Sequence, residues 1–238
     1  MKRFKVLIIS LFIISLSGCS DFCMICSLNP FFMDKDITLV PAIEGKWKAN
    51  TISSKQDNKD KNSSSWSHLD TTSFWKIKRV IYQESVKTKK GKDSVVYKPA
   101  NYYMIELVST RNDTIFYKFH MTLFHVNKAL YADLMPVDNT GLGKSLLANE
   151  SYFSVHTLAR VVIKNNQFSL SWLGAEYMKG MIEKKRVRVN YKWVESASRL
   201  LLTGTSEQLT GMIERYGDEP RFIDWNNQKA MLKLNRIK

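Results

Sequence analysis

Residues able to do chemistry are few in this chain, and their spacing groups them poorly. There are four histidines, His68, His120, His125 and His156. His120 and His125 are an odd number of residues apart, and a strand turns successive side chains to opposite faces. On one regular strand they cannot ligate one metal. His156 stands four residues before Arg160, on the same face of a strand, and reads either as a polar group for the inside or mouth of a barrel or as a satisfied structural histidine. No G-x-S-x-G presents a nucleophilic serine. Thr140-Gly141-Leu142-Gly143-Lys144-Ser145 has the residue types of a phosphate loop, but its glycines are too close together for one and it reads as a flexible loop. Cys23 and Cys26 form a C-x-x-C. A redox pair of this kind needs a strand before it and a helix after it. Here the pair lies in the apolar stretch Phe22 to Met33, broken by Pro30, and reads as a local disulfide or two thiols close to a membrane. No four ligands converge on a metal, and no spacing pairs two carboxylates. With no nucleophile beside a base, the chain reads as a non-enzyme without cofactor or metal.

The amino terminus carries a different kind of chemistry. Lys2, Arg3 and Lys5 precede an apolar run from Val6 to Leu16, followed by the small residues Ser17 and Gly18 and then Cys19. Charge, short apolar run and small residues make a secretory signal. The run is shorter than the roughly 20 residues that span a bilayer. Leu16-Ser17-Gly18-Cys19 resembles the lipobox of bacterial lipoprotein precursors. That resemblance implies cleavage before Cys19 and acylation of its thiol. Each buried methylene contributes about 0.8 kcal/mol, so two or three acyl chains anchor a protein in effect permanently. The expected organisation is a signal peptide over 1–18, a lipidated membrane-proximal tether over 19–42, and one domain over 43–238. Ser20 is compatible with sorting to an outer membrane, so the expected location is the bacterial cell envelope.

Cleavage would remove three cations and lower the net charge from +14 to +11. An exported basic chain meets anionic lipid headgroups or acidic glycans. Nucleic acid is disfavoured as a partner by the compartment and by the lack of any nucleic-acid motif. The basic clusters Lys87 to Lys92 and Lys184 to Arg188 read as solvated hairpin ends or faces that could rest on an anionic surface.

The elements that must position these residues are mostly strands. Apolar residues make up 44% and charged residues 24%, which is ordinary for a globular fold. Between Thr114 and His125, Ile115, Tyr117, Phe119, Met121 and Leu123 fall on one face and Lys118, His120 and Thr122 on the other. That period of two is a half-buried strand. The pattern repeats in Tyr103, Ile105 and Leu107; in Phe168, Leu170 and Trp172; in Val187, Val189, Tyr191 and Trp193; and in Ala230, Leu232 and Leu234. Further strand runs are Phe74 to Tyr82, Ala129 to Leu134 and Val155 to Lys164, and Asn165-Asn166 reads as a hairpin turn. Ser53 to Ser65 has a loop's composition. Thr205-Ser206-Glu207-Gln208 has the capping-box form, with Leu209, Met212, Ile213 and Tyr216 at helical spacing and Gly217 placed to stop the helix. A second helix is expected over Ala175 to Glu183. Eight or nine strands with few helices favour a meander that closes on itself, because closure removes exposed edges.

Pro41-Ala42-Ile43-Glu44-Gly45-Lys46-Trp47, then Val155 to Arg160, then Leu201 to Leu209, follow one another in an order similar to a family of uncharacterised bacterial lipoproteins with a lipocalin-like barrel. Gly45-x-Trp47 also resembles the first lipocalin motif. The resemblance implies a mainly β, antiparallel, lipocalin-like barrel of about eight strands with one or two short helices. It implies that Gly45 and Trp47 close one end, with Arg236 packed across the indole as a cation–π pair. An eight-stranded barrel can hold one small ligand if its interior is not filled by side chains. Tyr103, Tyr117, Phe119 and Trp172, with His156, are then the candidate lining for a hydrophobic small molecule or lipid. A solid core made of the same residues is the competing expectation.

Overall fold

Gly45 begins the first strand of a closed ring. In the computed structural model, which describes residues 25–49, 73–87, 93–110, 115–138, 155–194, 199–222 and 231–237, eleven strands and two α-helices are formed. The strands are β1 (Cys26–Ser27), β2 (Gly45–Ala49), β3 (Ser73–Lys87), β4 (Asp93–Ser109), β5 (Ile115–Val126), β6 (Ala129–Asp138), β7 (His156–Lys164), β8 (Gln167–Trp172), β9 (Tyr191–Val194), β10 (Arg199–Leu202) and β11 (Met231–Ile237). The helices are α1 (Ala175–Glu183) and α2 (Ser206–Tyr216). Strands β2 to β8 pair antiparallel in sequence order, and β11 pairs with both β8 and β2. Eight strands therefore close an antiparallel barrel.

Alternation selects what points inward. Trp47, Trp75, Ile77, Tyr103, Ile105, Leu107, Met121, Leu123, Phe168, Leu170, Trp172 and Leu234 form one buried cluster inside the ring. The bulk of three tryptophans is offset by Ala49, Ala132 and Ala159 on facing strands, so large and small residues interdigitate.

The two ends of the barrel differ. At one end lie the tight turns at 127–128 and 165–166, where Asn127 and Asn165 take the left-handed conformation that asparagine tolerates. The segment from Ile37 to Ile43 crosses this plugged end. Thr38 N–H donates to Leu123 O at 2.8 Å, and a 3-10 turn at Pro41–Ile43 lowers Ile43 into the core. At the other end the strands lead to residues 50–72, 111–114, 139–154 and 223–230, outside the described set. We call it the loop end. The loop expected at Ser53 to Ser65, the phosphate-like run Thr140 to Ser145, His68, Cys19 and Cys23 all fall outside the described residues.

A second core lies on the outside of the wall. Phe124, Val126, Tyr131 and Leu158 face outward from β5, β6 and β7 and are covered by α1, α2, and a small sheet of β1, β10 and β9. The small sheet begins where β1 pairs with the first residues of β7, Ser27 opposite His156 and Cys26 opposite Thr157. α2 has the capping box expected of it: Thr205 Oγ1 accepts from Gln208 N–H, and Gln208 Oε1 accepts from Thr205 N–H. Gly217 ends it with an ordinary right-handed φ of −60°. A glycine is needed there for room, since a Cβ would sit 2.5 Å from the Tyr131 hydroxyl.

The segment expected as a tether is part of this body from Ile25 onward. Ile25 and Phe31 are buried in the second core. Phe31 N–H donates to Asp133 Oδ2 at 2.8 Å, Thr210 Oγ1 donates to Phe31 O at 3.2 Å, and Asn29 Nδ2 donates to Gly204 O at 2.8 Å. Ile25 and Phe31 are spent on protein packing, while Leu28 stays exposed.

Two differences concern strand length. β3 and β4 run on past the barrel as a two-stranded ribbon, Ile81 to Lys87 paired with Asp93 to Pro99, after an irregularity between Arg79 and Ile81. The alternation expected from Val187 to Trp193 is split: only Tyr191–Val194 is a strand, and Tyr191 and Trp193 are exposed.

Fully burying an isoleucine or phenylalanine contributes about 1.5–3 kcal/mol each, against a typical net stability of roughly 5–15 kcal/mol. A chain begun at Asp34, which lacks Ile25, Phe31 and β1, is expected to unfold at a much lower urea midpoint than one begun at Ser20, or to be insoluble. Equal midpoints would show that the segment is a tether after all.

Candidate functional site

The plugged end is built around Trp47. Its Nε1–H donates to Ile43 O at 2.7 Å, which ties the ring to the 3-10 turn beneath it. Gly45 has a φ of 135°, a conformation L side chains rarely adopt, and a Cβ there would lie 3.1 Å from Arg236 Nη1. Arg236, on β11, places its guanidinium carbon 4.7 Å from the centre of the Trp47 ring. The same guanidinium donates to Ala42 O, and the Arg236 backbone N–H donates to Asn166 O at 2.9 Å. One arginine thus joins the last strand, the crossing segment and the β7–β8 turn. Gly45, Trp47 and Arg236 meet at one place.

Tyr103 belongs to this plug. Its hydroxyl accepts from Val40 N–H at 2.8 Å, and its side chain is fully buried. Burial raises the phenol above its ordinary range, and the Val40 bond offsets part of that. Its expected place on a ligand surface is corrected: it holds the crossing segment. His156 does not line the interior either. It lies an odd number of residues from Ala159 and Val161, which face the interior, so it stands on the outer side of β7. There His156 Nδ1 lies 2.7 Å from Asp133 Oδ1, and the other oxygen of that buried carboxylate takes the Phe31 N–H. This pair latches the amino-terminal segment to the wall.

The remaining candidates stay together. Register places Trp75, Leu107 and Tyr117 in one inward row across β3, β4 and β5, with Ile77, Ile105 and Phe119 in the next. Tyr117 and Phe119 are half-buried, with ring centres 6.4 Å apart. Trp172 faces the interior from β8. Trp75 is almost fully buried, and its Nε1–H has no hydrogen-bond partner among the described residues. Leaving a buried donor unpaired costs about 1–3 kcal/mol. Sequence reasoning saw the strand from Phe74 to Tyr82 without singling out Trp75. Its shared parity with Ile77 was the available signal. Asp133 was also missed, although one carboxylate inside the apolar run Ala129 to Leu134 is itself a mark of a buried polar contact.

Elsewhere the chemistry is sparse. Among the described residues no three His, Cys, Asp or Glu side chains converge in a way that could hold a metal. A groove of about 330 Å³ lies between the segment 29–34 and the start of α2, but the helix N-terminus there is already capped and Asp34 and Glu207 line the groove. His120 points outward, its ring centre 4.5 Å from that of Tyr102. No family model matches the chain, and neither does any curated protein or any solved structure. What the barrel does has therefore to be read from its own geometry.

Replacing Arg236 by leucine is expected to cost about 1–3 kcal/mol in urea unfolding, through loss of the stack and of the bond to Ala42. Lysine at 236 keeps the charge but not the planar contact, and is expected to recover little. An unchanged midpoint in the leucine variant would mean that the stack carries no weight.

Burial holds His120 below its ordinary value of 6.5. Its folded pKa is thus depressed, so the stability linked to it is complete above that value and lost as pH falls through the folded value. A His120→Gln chain is expected to lose thermal midpoint less steeply than wild type between about pH 7 and about pH 5. Parallel slopes would remove His120 from the account.

Proposed function

We propose that the chain is an exported lipoprotein, acylated on Cys19, whose barrel receives the apolar part of a small lipid-like amphiphile near its loop end. The observation that carries the reading is Trp75: a buried indole N–H without an acceptor, in the inward row that leads to Tyr117. Buried polar groups in folded proteins almost always have partners, so an orphaned donor inside a barrel is a place for a ligand's acceptor. The half-buried rings of Tyr117 and Phe119, with Trp172, supply apolar surface of the kind that small-molecule sites use. The ligand chemistry is then an acyl or similarly apolar body bearing a carbonyl or carboxylate. The role is read as binding, because an orphaned donor beside apolar rings offers contacts for a ligand. The signal and the lipobox-like quartet support export and anchoring in the bacterial envelope, with the outer membrane as the destination. The Arg236–Trp47 stack supports kinship with lipocalin-like barrels.

A second reading has its own support. Most interior residues from the plug up to Trp75 and Trp172 are nearly inaccessible, so most of the barrel is solid core. On that view the barrel is a rigid body without a ligand, presenting its surface to envelope partners.

Native mass spectrometry on the chain from Ser20, purified from bacteria without detergent, separates the two. The ligand reading expects one reproducible extra mass, released on denaturation and belonging to one lipid class. It further expects Trp75→Phe to lower retention of that lipid by about 5- to 10-fold, the value of one hydrogen bond. A clean mass in both proteins, persisting after lipids are offered, would leave the filled barrel standing.

A further inference from the structure

The small sheet of β1, β10 and β9 ends in an exposed edge whose composition is unusual. Among the described residues β9 pairs only with β10. Tyr191 is 42% exposed and Trp193 47% exposed, side by side on one face of β9. Monomeric soluble proteins seldom leave large apolar residues grouped in this way. Immediately before the strand come Lys184, Lys185, Arg186 and Arg188, and within it Lys192, all exposed and none in a salt bridge among the described residues. Glu183 is the one carboxylate from 183 to 194. Tyr and Trp rings favour the headgroup level of a bilayer, where one part of the ring is dry and the other wet. Lysine and arginine beside them attract anionic lipid.

The start of the chain decides between this surface and the other exposed apolar one. Ile25 is six positions after Cys19, and an extended chain covers at most about 3.5 Å per residue. A lipid anchor on Cys19 therefore holds the bilayer within about 21 Å of Ile25. β9 lies two strand spacings from β1, about 10 Å, well inside that reach. The exposed apolar residues of the β3–β4 ribbon, Ile81, Val95 and Tyr97, project from the plugged end, whereas β1 sits beside the first residues of β7 at the loop end.

We infer that the edge formed by Tyr191 and Trp193, with the cations Lys184, Lys185, Arg188 and Lys192, rests on an anionic lipid surface and sets the orientation of the barrel on the membrane. The inference depends on Cys19 acylation and deepens that reading: acyl chains fix the protein to the bilayer, and this edge fixes which side faces it. The basic residues bring the edge to the headgroups, each strengthening association on the order of fivefold near an anionic surface. The two rings then sit in the interface. The ribbon is held away.

The test uses the acylated full chain, purified from membranes and placed in phosphatidylcholine–phosphatidylglycerol vesicles whose phosphatidylcholine carries brominated acyl chains. Bromine quenches tryptophan emission at short range. Wild type is expected to be quenched, and Trp193→Phe to lose most of that quenching while still floating with the vesicles. The triple variant Lys184→Glu, Lys185→Glu, Arg188→Glu is expected to float yet lose the share that depends on Trp193. Tyr97→Ala, in the ribbon, is expected to behave as wild type. An acylated chain that floats but is quenched equally with and without Trp193 overturns this inference and leaves the lipoprotein reading intact. An intact mass without acyl chains removes the anchor, and both readings fall together.

Discussion

Everything in this fold depends on β11 finding two partners. Seven residues near the carboxyl terminus must pair with β8 on one side and with β2 on the other. Leu234 meets Ala49 and Arg236 meets Trp47, contacts that join the two ends of the chain. Without them β2 and β8 would both be open edges with backbone groups exposed to any other strand. The loop-closure entropy of such a contact has to be met before its bonds form, which explains why so much is concentrated there. Arg236 adds a stack on Trp47, a bond to Ala42 O and a backbone bond to Asn166 O. The closing strand is thereby tied to the segment that plugs the barrel, and closure and plugging become one event.

That coupling constrains what the interior can hold. An eight-stranded barrel is just wide enough for its side chains to fill. Here Trp47, Phe168, Tyr103 and Met121 occupy the plugged half, and the Tyr103 hydroxyl is already used by Val40. Any guest must therefore sit towards the loop end, beside Trp75 and Tyr117. The same argument gives the guest its shape: short in its buried part, apolar, and able to accept one hydrogen bond. A long chain threaded down the axis would have to displace the plug and break its bonds to Ile43 and Ala42.

Much of the barrel was legible because one face of most strands is wet. β5 reads cleanly, with Lys118, His120 and Thr122 marking the outside. The capping box of α2 was legible for a local reason, since Thr205 and Gln208 satisfy each other without help from the rest of the chain. What failed was wherever a strand is covered twice. In β7, Leu158 is buried in the outer core and Ala159 in the inner one. Alternation then carries no information about which side is which, and the choice between a lining and a structural His156 could not be made from it. The amino-terminal segment misled in a similar way. Ile25 and Phe31 stand close to the expected lipid, and nothing in their own sequence says that Asp133, over a hundred residues on, will take the Phe31 N–H.

The double coverage of the wall also joins the amino-terminal segment to the barrel interior. β1 lies on β7, β7 is a wall of the barrel, and Ala159 on its inner face is paired with Trp172. Phe31 is fixed to Asp133 on β6 and to Thr210 on α2, so the first described residues, the small sheet and the barrel share one packed interior. Under the proposed acylation of Cys19, the packing of residues 25–49 into this body would bring the barrel wall itself close to the bilayer. Whatever surface meets the bilayer fixes the direction of the barrel axis at the same time. Since β1 sits beside the start of β7, a membrane contact along β9 places the loop end, with Trp75 and Tyr117, nearer the lipid than the plugged end. A barrel that takes an amphiphile would gain from that arrangement, because the guest could pass between headgroups and barrel without crossing much water.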